Sequence, residues 1–305
     1  MSHRIDINQV EVTIPAGHKL KIVDGQHRVL GAEYSIQDLK AKELEDFQFP
    51  FVLMINDDRL DEIRTFYEIN TTGKKVSTDL ALQLLNDWNN LKESARLTKK
   101  EQWKLVALNI AMELNKDKES VWHNTINFSL KNKDGLINAT AFVNSLSPFL
   151  NSIAFVRKIW MDSTNEEQAG KKLAKLVNNY WTAISLTLPG CFPRDLKDKN
   201  NWYIQKNVGA RVWNMVAPFI LEECLIKREK QGDLSPENIA KFLKEYTGYG
   251  VRDAEVVWRS KRTGKGINGG EASRASSTKA YREIANTIMS DIEQNYLEKR
   301  DSVNF

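Results

Sequence analysis

Apolar and polar positions change their spacing along this chain. Residues 9–14, QVEVTI, alternate polar and apolar with β-branched side chains, as a strand with one buried face does. Pro15-Ala16-Gly17 breaks that run, and KLKIV at 19–23 is a second strand-like stretch. FVLMIN at 51–56 is apolar enough for a strand buried on both faces. Between them RVLGAEYSIQDLKAKELED, 28–46, is helical in part, so the N-terminal region alternates strand and helix.

From Arg59 the period lengthens. RLDEIRTFYEIN places Leu60, Ile63, Phe66, Tyr67 and Ile69 near one helical face, and Ser77 or Thr78 can cap a following helix through DLALQLLNDW. Helical patterns then dominate, over 99–115, 137–150, 166–186, 204–230, 235–246 and 278–299, with TINFSL at 125–130 as one further strand. Trp88, Trp103, Trp181 and Trp213 fall on apolar helical positions and are expected in the core. Trp258, beside a basic stretch, is the tryptophan best placed to face a ligand.

That stretch, SKRTGKGINGGEASRASSTK at 260–279, has four glycines and almost no apolar residue. It is expected to be an exposed, mobile loop, and with its neighbours it gathers Arg259, Lys261, Arg262, Lys265, Arg274, Lys279 and Arg282 against the single acid Glu271. Such a segment suits tracking of a DNA backbone, and it equally suits a soluble surface insertion. A net charge of +4 over 305 residues is compatible with DNA as partner without arguing for it.

With 41% hydrophobic and 28% charged residues the chain has the composition of a folded protein. Two cysteines, Cys191 and Cys224, exclude a disulfide framework. Four scattered histidines assemble no zinc-ligand spacing, so no metal site is assigned, although carboxylates with nucleotide phosphates could hold Mg2+. The sequence has no apolar run of signal-peptide or membrane-span length, which predicts a cytoplasmic protein without a membrane partner. No P-loop, HExxH or Ser-His-Asp order supports a hydrolase of those kinds.

Two polar strings carry the candidate chemistry. In IVDGQHR, Gly25 lets the backbone turn sharply and offer successive N–H groups, with that of Gln26, to an anion. Arg28 supplies a charged fork for phosphate oxygens and His27 a donor or proton shuttle; Asp24 can orient either, hold Mg2+ or position a water. The alternative is a tight turn in which Asp24 caps the next helix and Arg28 is solvated. In FYEINTTGKKVSTDL, Asn70, Thr72, Gly73 and Lys74 offer an amide, a hydroxyl, a close backbone approach and a charge. The alternative there is a plain link between helices with a glycine C-cap.

Together the two strings resemble the DGQHR-domain family, whose DGQHR motif is intact here and is followed by an F-x-x-I-N…V-S-x-x-L segment. The two-part pattern is also similar to that of the DUF262 proteins of bacterial defence systems. Both belong to the ParB/sulfiredoxin-like group, and within the DGQHR family the nearest kind is DndB-like, encoded beside the enzymes that put phosphorothioate into DNA. The resemblance implies an α+β fold, with a small ParB/sulfiredoxin-like α/β core over 1–95 and a mainly helical part over 96–305. It implies that Gly25, Gln26, Arg28, Asn70, Thr72, Gly73 and Lys74 bind a nucleoside triphosphate, with Mg2+, and that Asp24, His27 and Arg28 act on it. Arg259, Lys261, Arg262, Lys265, Arg274 and Lys279 would meet DNA. Family members carry a longer strand-rich stretch ahead of the motif, so this chain reads as a short or truncated form.

The role implied is a regulator or accessory factor of a DNA-modification or defence locus, working with other proteins of that locus. The alternatives are a nucleoside triphosphatase stimulated by modified DNA and a non-catalytic protein–protein module.

Overall fold

A computed structural model of the chain describes residues 25–48, 99–128, 135–226, 233–246, 255–260 and 269–303. Two units separate between Lys74 and Lys75, where the resemblance implied a boundary after residue 95.

In the first unit the DGQHR string opens a helix. Gly25 is the N-cap of α1 (Gln26–Gln37), with φ 90° and ψ 6°, a left-handed conformation that costs a residue bearing a Cβ about 1–2 kcal/mol. Its carbonyl accepts from the amides of Arg28 and Val29 at 2.9 and 3.1 Å, closing the first turn. Just past the C-terminus Lys40 is also left-handed, at φ 56°, and its ammonium donates to the Gln37 carbonyl at 2.7 Å. The strands expected at 9–14, 19–23 and 51–56, and the helices expected between 59 and 88, lie outside the described residues.

The second unit is mainly helical. Among the described residues its helices are α2 (Lys99–Lys116), α3 (Ala139–Ser145), α4 (Ser147–Ser152), α5 (Ala154–Met161), α6 (Glu166–Thr187), α7 (Leu196–Lys199), α8 (Asn207–Ile226), α9 (Pro236–Tyr246) and α10 (Thr278–Val303). Two short strands, β1 (Ile126–Asn127) and β2 (Ile137–Asn138), pair in parallel with Ile126 opposite Ile137, so the expected strand near 125–130 is present and the whole is α+β.

Local chemistry accounts for the breaks. The helical run expected over 137–150 divides in two: Asn138 caps α3 by accepting from the Ala141 amide at 2.7 Å, and Pro148 sits at the start of α4. The sequence pattern did not predict α5, whose eight residues, AFVRKIWM, are too few to establish a period. Asn165 caps α6 through the Gln168 amide at 2.8 Å, with Glu166 and Glu167 in the positive first turn.

Helix α6 packs against α2, α5 and α9, while α8 packs against α3, α4 and α10. Where α2 and α6 meet, a Cβ added at Gly170 would overlap the Cβ of Asn109, so a glycine is what lets the two backbones approach. The fully buried Trp122 lies edge-on to Phe142 and Trp181, with ring centroids 4.6 and 4.7 Å away. The Trp181 indole donates to Asn214 Oδ1 at 3.2 Å, Asn214 Nδ2 to Ser145 Oγ at 2.9 Å, and Ser145 Oγ to the Phe142 carbonyl at 2.6 Å. This buried chain ties α6, α8 and α3 together. Pro218, inside α8, has no N–H to offer the Asn214 carbonyl, and the Tyr180 hydroxyl donates to the neighbouring Trp213 carbonyl at 2.6 Å.

Two expectations are corrected. Trp258 does not face a ligand: it is 2% exposed and its ring lies 5.8 Å from that of Trp213, because it anchors its segment in the core. Of the stretch 260–279, Ser260, Gly269, Gly270 and Ala272 are buried, Glu271–Ser273 form a 3-10 turn, and Thr278 and Lys279 already belong to α10. Residues 261–268 lie outside the described residues.

Two predictions follow from this burial. Asn214→Leu keeps the volume but strips the partner from the Trp181 indole, and should lower the unfolding free energy by about 1–3 kcal/mol in a urea titration. Burial first, and Cys224 second, pushes the Tyr180 hydroxyl well above its ordinary range; burial first, and the Glu255 carboxylate second, does the same to the Cys191 thiol. Both stay protonated in the folded chain where the unfolded chain releases its protons, so stability is full below the ordinary thiol and phenol ranges and falls progressively as pH rises above them toward the raised folded-state values. The urea midpoint should therefore fall between about pH 7 and about pH 10, and Cys191→Ala should flatten that fall.

Candidate functional site

The described members of the DGQHR string sit on one turn. Gln26, His27 and Arg28 form the exposed first turn of α1, at the end where backbone N–H groups and the helix dipole favour an anion. The Arg28 guanidinium folds back over Gly25: a Cβ built there would lie 3.5 Å from Nη2 and 3.7 Å from Nε. Those are ordinary contact distances, so it is the left-handed backbone at residue 25, and not the approach of the guanidinium, that favours glycine. The described part of the motif is a helix start with Gly25 at its N-cap. Asp24, Asn70, Thr72, Gly73 and Lys74 lie outside the described residues.

A second cluster forms in the helical unit around Arg259. Trp202 and Arg259 face each other across an isolated antiparallel bridge, flanked by Tyr203 N donating to the Trp258 carbonyl and Ser260 N to the Asn201 carbonyl, both at 2.7 Å. Gly270 N donates to the Arg259 carbonyl at 2.9 Å. A Cβ at Gly270 would overlap the Val256 carbonyl, so only glycine allows that crossing. On the other side the Glu255 carboxylate accepts from the Gly190 amide at 2.7 Å. The residues 255–260 are therefore held from three directions, with Trp258 buried beneath them.

Cations lie over rings on this surface. The Arg259 guanidinium carbon is 5.7 Å from the Trp202 ring centroid, and Lys206 Nζ is 4.9 Å from that of Tyr203. Lys206 also donates to the Asn200 carbonyl at 2.8 Å. All four side chains are half-buried, and burial holds the neighbouring Lys199 ammonium below the usual lysine range.

Of the residues assigned to DNA from sequence, Arg259 is at the centre of this cluster. Arg274 is exposed just after the 3-10 turn, and Lys279 is exposed in the first turn of α10, 3.9 Å from Glu283, an ion pair worth little in water. Lys261, Arg262 and Lys265 lie outside the described residues. Sequence reasoning missed Trp202, Tyr203, Lys206 and Glu255. Their only local signal is the order Trp-Tyr followed by Lys206, and pairing with Arg259 is a long-range contact that no period reveals. Among the described residues no group of three or more His, Cys, Asp or Glu side chains could hold a metal ion, and no single helix is long and apolar enough to cross a membrane.

The chain matches the DndB family, described as DNA-sulfur modification-associated, over residues 6–202. No curated protein and no solved structure matches it. The matched residues take in the DGQHR string and the helical unit as far as Trp202, and leave Arg259 beyond them. Because the match covers well over half its length, the chain belongs to the DndB family of DNA-sulfur modification-associated proteins.

Proposed function

We propose that this chain is a DNA-binding regulator or accessory factor of a DNA sulfur modification system, acting in the cytoplasm with other proteins of that locus. Family membership supplies the system, and the observation that carries the DNA contact is Arg259, half-buried over Trp202 on a segment clamped from three directions. A guanidinium held this way keeps its charge at a fixed place on the surface, where a phosphate can meet it. Lys261, Arg262 and Lys265 come within six residues of it in the sequence.

In this reading residues 1–95 are the ParB/sulfiredoxin-like core, and the start of α1 receives the phosphates of a nucleoside triphosphate. What supports this is the left-handed Gly25 N-cap with Arg28 folded over it, a backbone and a cation set for an anion. Bound Mg2+ would neutralise phosphate charge, and Asp24 is the carboxylate of the motif that could hold it. His27, exposed on the same turn, can donate to a phosphate oxygen.

Titration calorimetry and DNA anisotropy on the full chain test the two halves separately. Arg28→Ala should abolish triphosphate binding with the thermal transition unchanged, and unaltered affinity would remove the nucleotide assignment. Charge reversal at Lys261, Arg262 and Lys265 should weaken duplex binding by a factor that shrinks as salt rises. A wild-type chain that binds no DNA at low salt would overturn the proposal. Rapid phosphate release stimulated by DNA would favour a triphosphatase over a regulator.

A further inference from the structure

We infer that Trp202, Tyr203, Lys206 and Arg259 form a clamp for the sugar–phosphate backbone of duplex DNA, in which the two cations meet phosphates and the two rings brace the cations. The inference rests on the DNA-binding reading above and adds to it the residues and the mode of contact. None of the four except Trp202 lies within the family match, so the clamp belongs to this chain's own C-terminal half.

Three observations carry it. First, the backbone under the cluster is fixed. The Trp202–Arg259 bridge is flanked by hydrogen bonds on both sides, and Trp258, the residue before Arg259, is buried against Trp213. Second, each cation already has its position. Arg259 lies over one ring and Lys206 over the adjacent one while also bonded to the Asn200 carbonyl. Long basic side chains ordinarily lose rotamer freedom when they bind, and here much of that ordering precedes the ligand. Third, each ring already carries a cation on one face, so a base stacking on that face would have to displace Arg259 or Lys206. That arrangement favours phosphate contact over base stacking, the mode typical of single strands.

The surrounding charge agrees. Between residues 194 and 211 the chain carries Arg194, Lys197, Lys199, Lys206 and Arg211 against Asp195 and Asp198. Asp195 is engaged as the N-cap of α7, accepting from the Lys197 amide at 2.9 Å, and Glu255 is engaged with the Gly190 amide.

The test is fluorescence anisotropy of the full chain with a short labelled duplex and with one of its strands, each over a series of salt concentrations. Circular dichroism confirms that every variant is folded. Arg259→Gln and Lys206→Gln should each reduce the slope of log affinity against log salt by about 0.9, and the double variant by about twice that. Arg259→Lys should keep the slope. Trp202→Leu should weaken duplex binding several-fold with the slope retained, since the charge stays and its bracing goes. Wild-type slope and affinity in both cation variants would overturn the clamp while leaving DNA binding elsewhere intact. Tighter binding to the single strand, lost in Trp202→Leu, would overturn it in favour of base stacking. A wild-type chain that binds neither would overturn the underlying reading as well.

Discussion

In the helical unit the buried Trp181 indole N–H is bonded to a side chain on another helix, and that one bond organises the helices around it. Its donor reaches Asn214 on α8, whose amide continues to Ser145 on α3, so three helices distant in sequence are fixed at one depth and in one rotation. An apolar core alone tolerates sliding, because dispersion contacts have little directionality. A fully bonded polar chain inside that core does not, since any shift strands a donor or acceptor away from water. Trp122 lies edge-on to the indole with Phe142 edge-on to Trp122, and Tyr180, the preceding residue on α6, reaches the carbonyl of Trp213 one residue ahead of Asn214.

The surface around Arg259 inherits this rigidity. Trp213 belongs to the same helix as Asn214, and Trp258 leans on it, so the segment carrying Arg259 is registered against the core rather than against solvent. The Glu255–Gly190 bond adds a second attachment near the end of α6. Burial of one aromatic thus sets the position of a cation at the next residue. Cys191, packed between, is kept as a thiol by burial and a neighbouring carboxylate, in keeping with a structural role.

The helices of the second unit were legible because long apolar periodicity is a local signal: α2, α6, α8, α9 and α10 lie where the spacing placed them. Breaks were less so, since Asn138, Leu146 and Pro148 divide a run that reads as one helix until the cap is known. Trp258 misled for a physical reason. Its neighbours in sequence are polar and basic, while its neighbours in space are Trp213 and the core, and only the fold reports the second. The same holds for Trp202 and Lys206, which acquire meaning through the bridge to Arg259. In the first unit the DGQHR string was recognisable as a motif from its residues. Its form as a helix start, with glycine at the left-handed cap, depends on a backbone angle that spelling alone does not give.

The bond from Gly270 N to the Arg259 carbonyl places the two ends of the intervening stretch side by side. Chain inserted between fixed, adjacent points pays only a closure entropy that rises by about 0.6 kcal/mol for each doubling of length. A change of length between Arg259 and Gly270 is therefore a small entropic matter so long as their bond is kept, whereas a change inside a helix shifts every side chain that follows it.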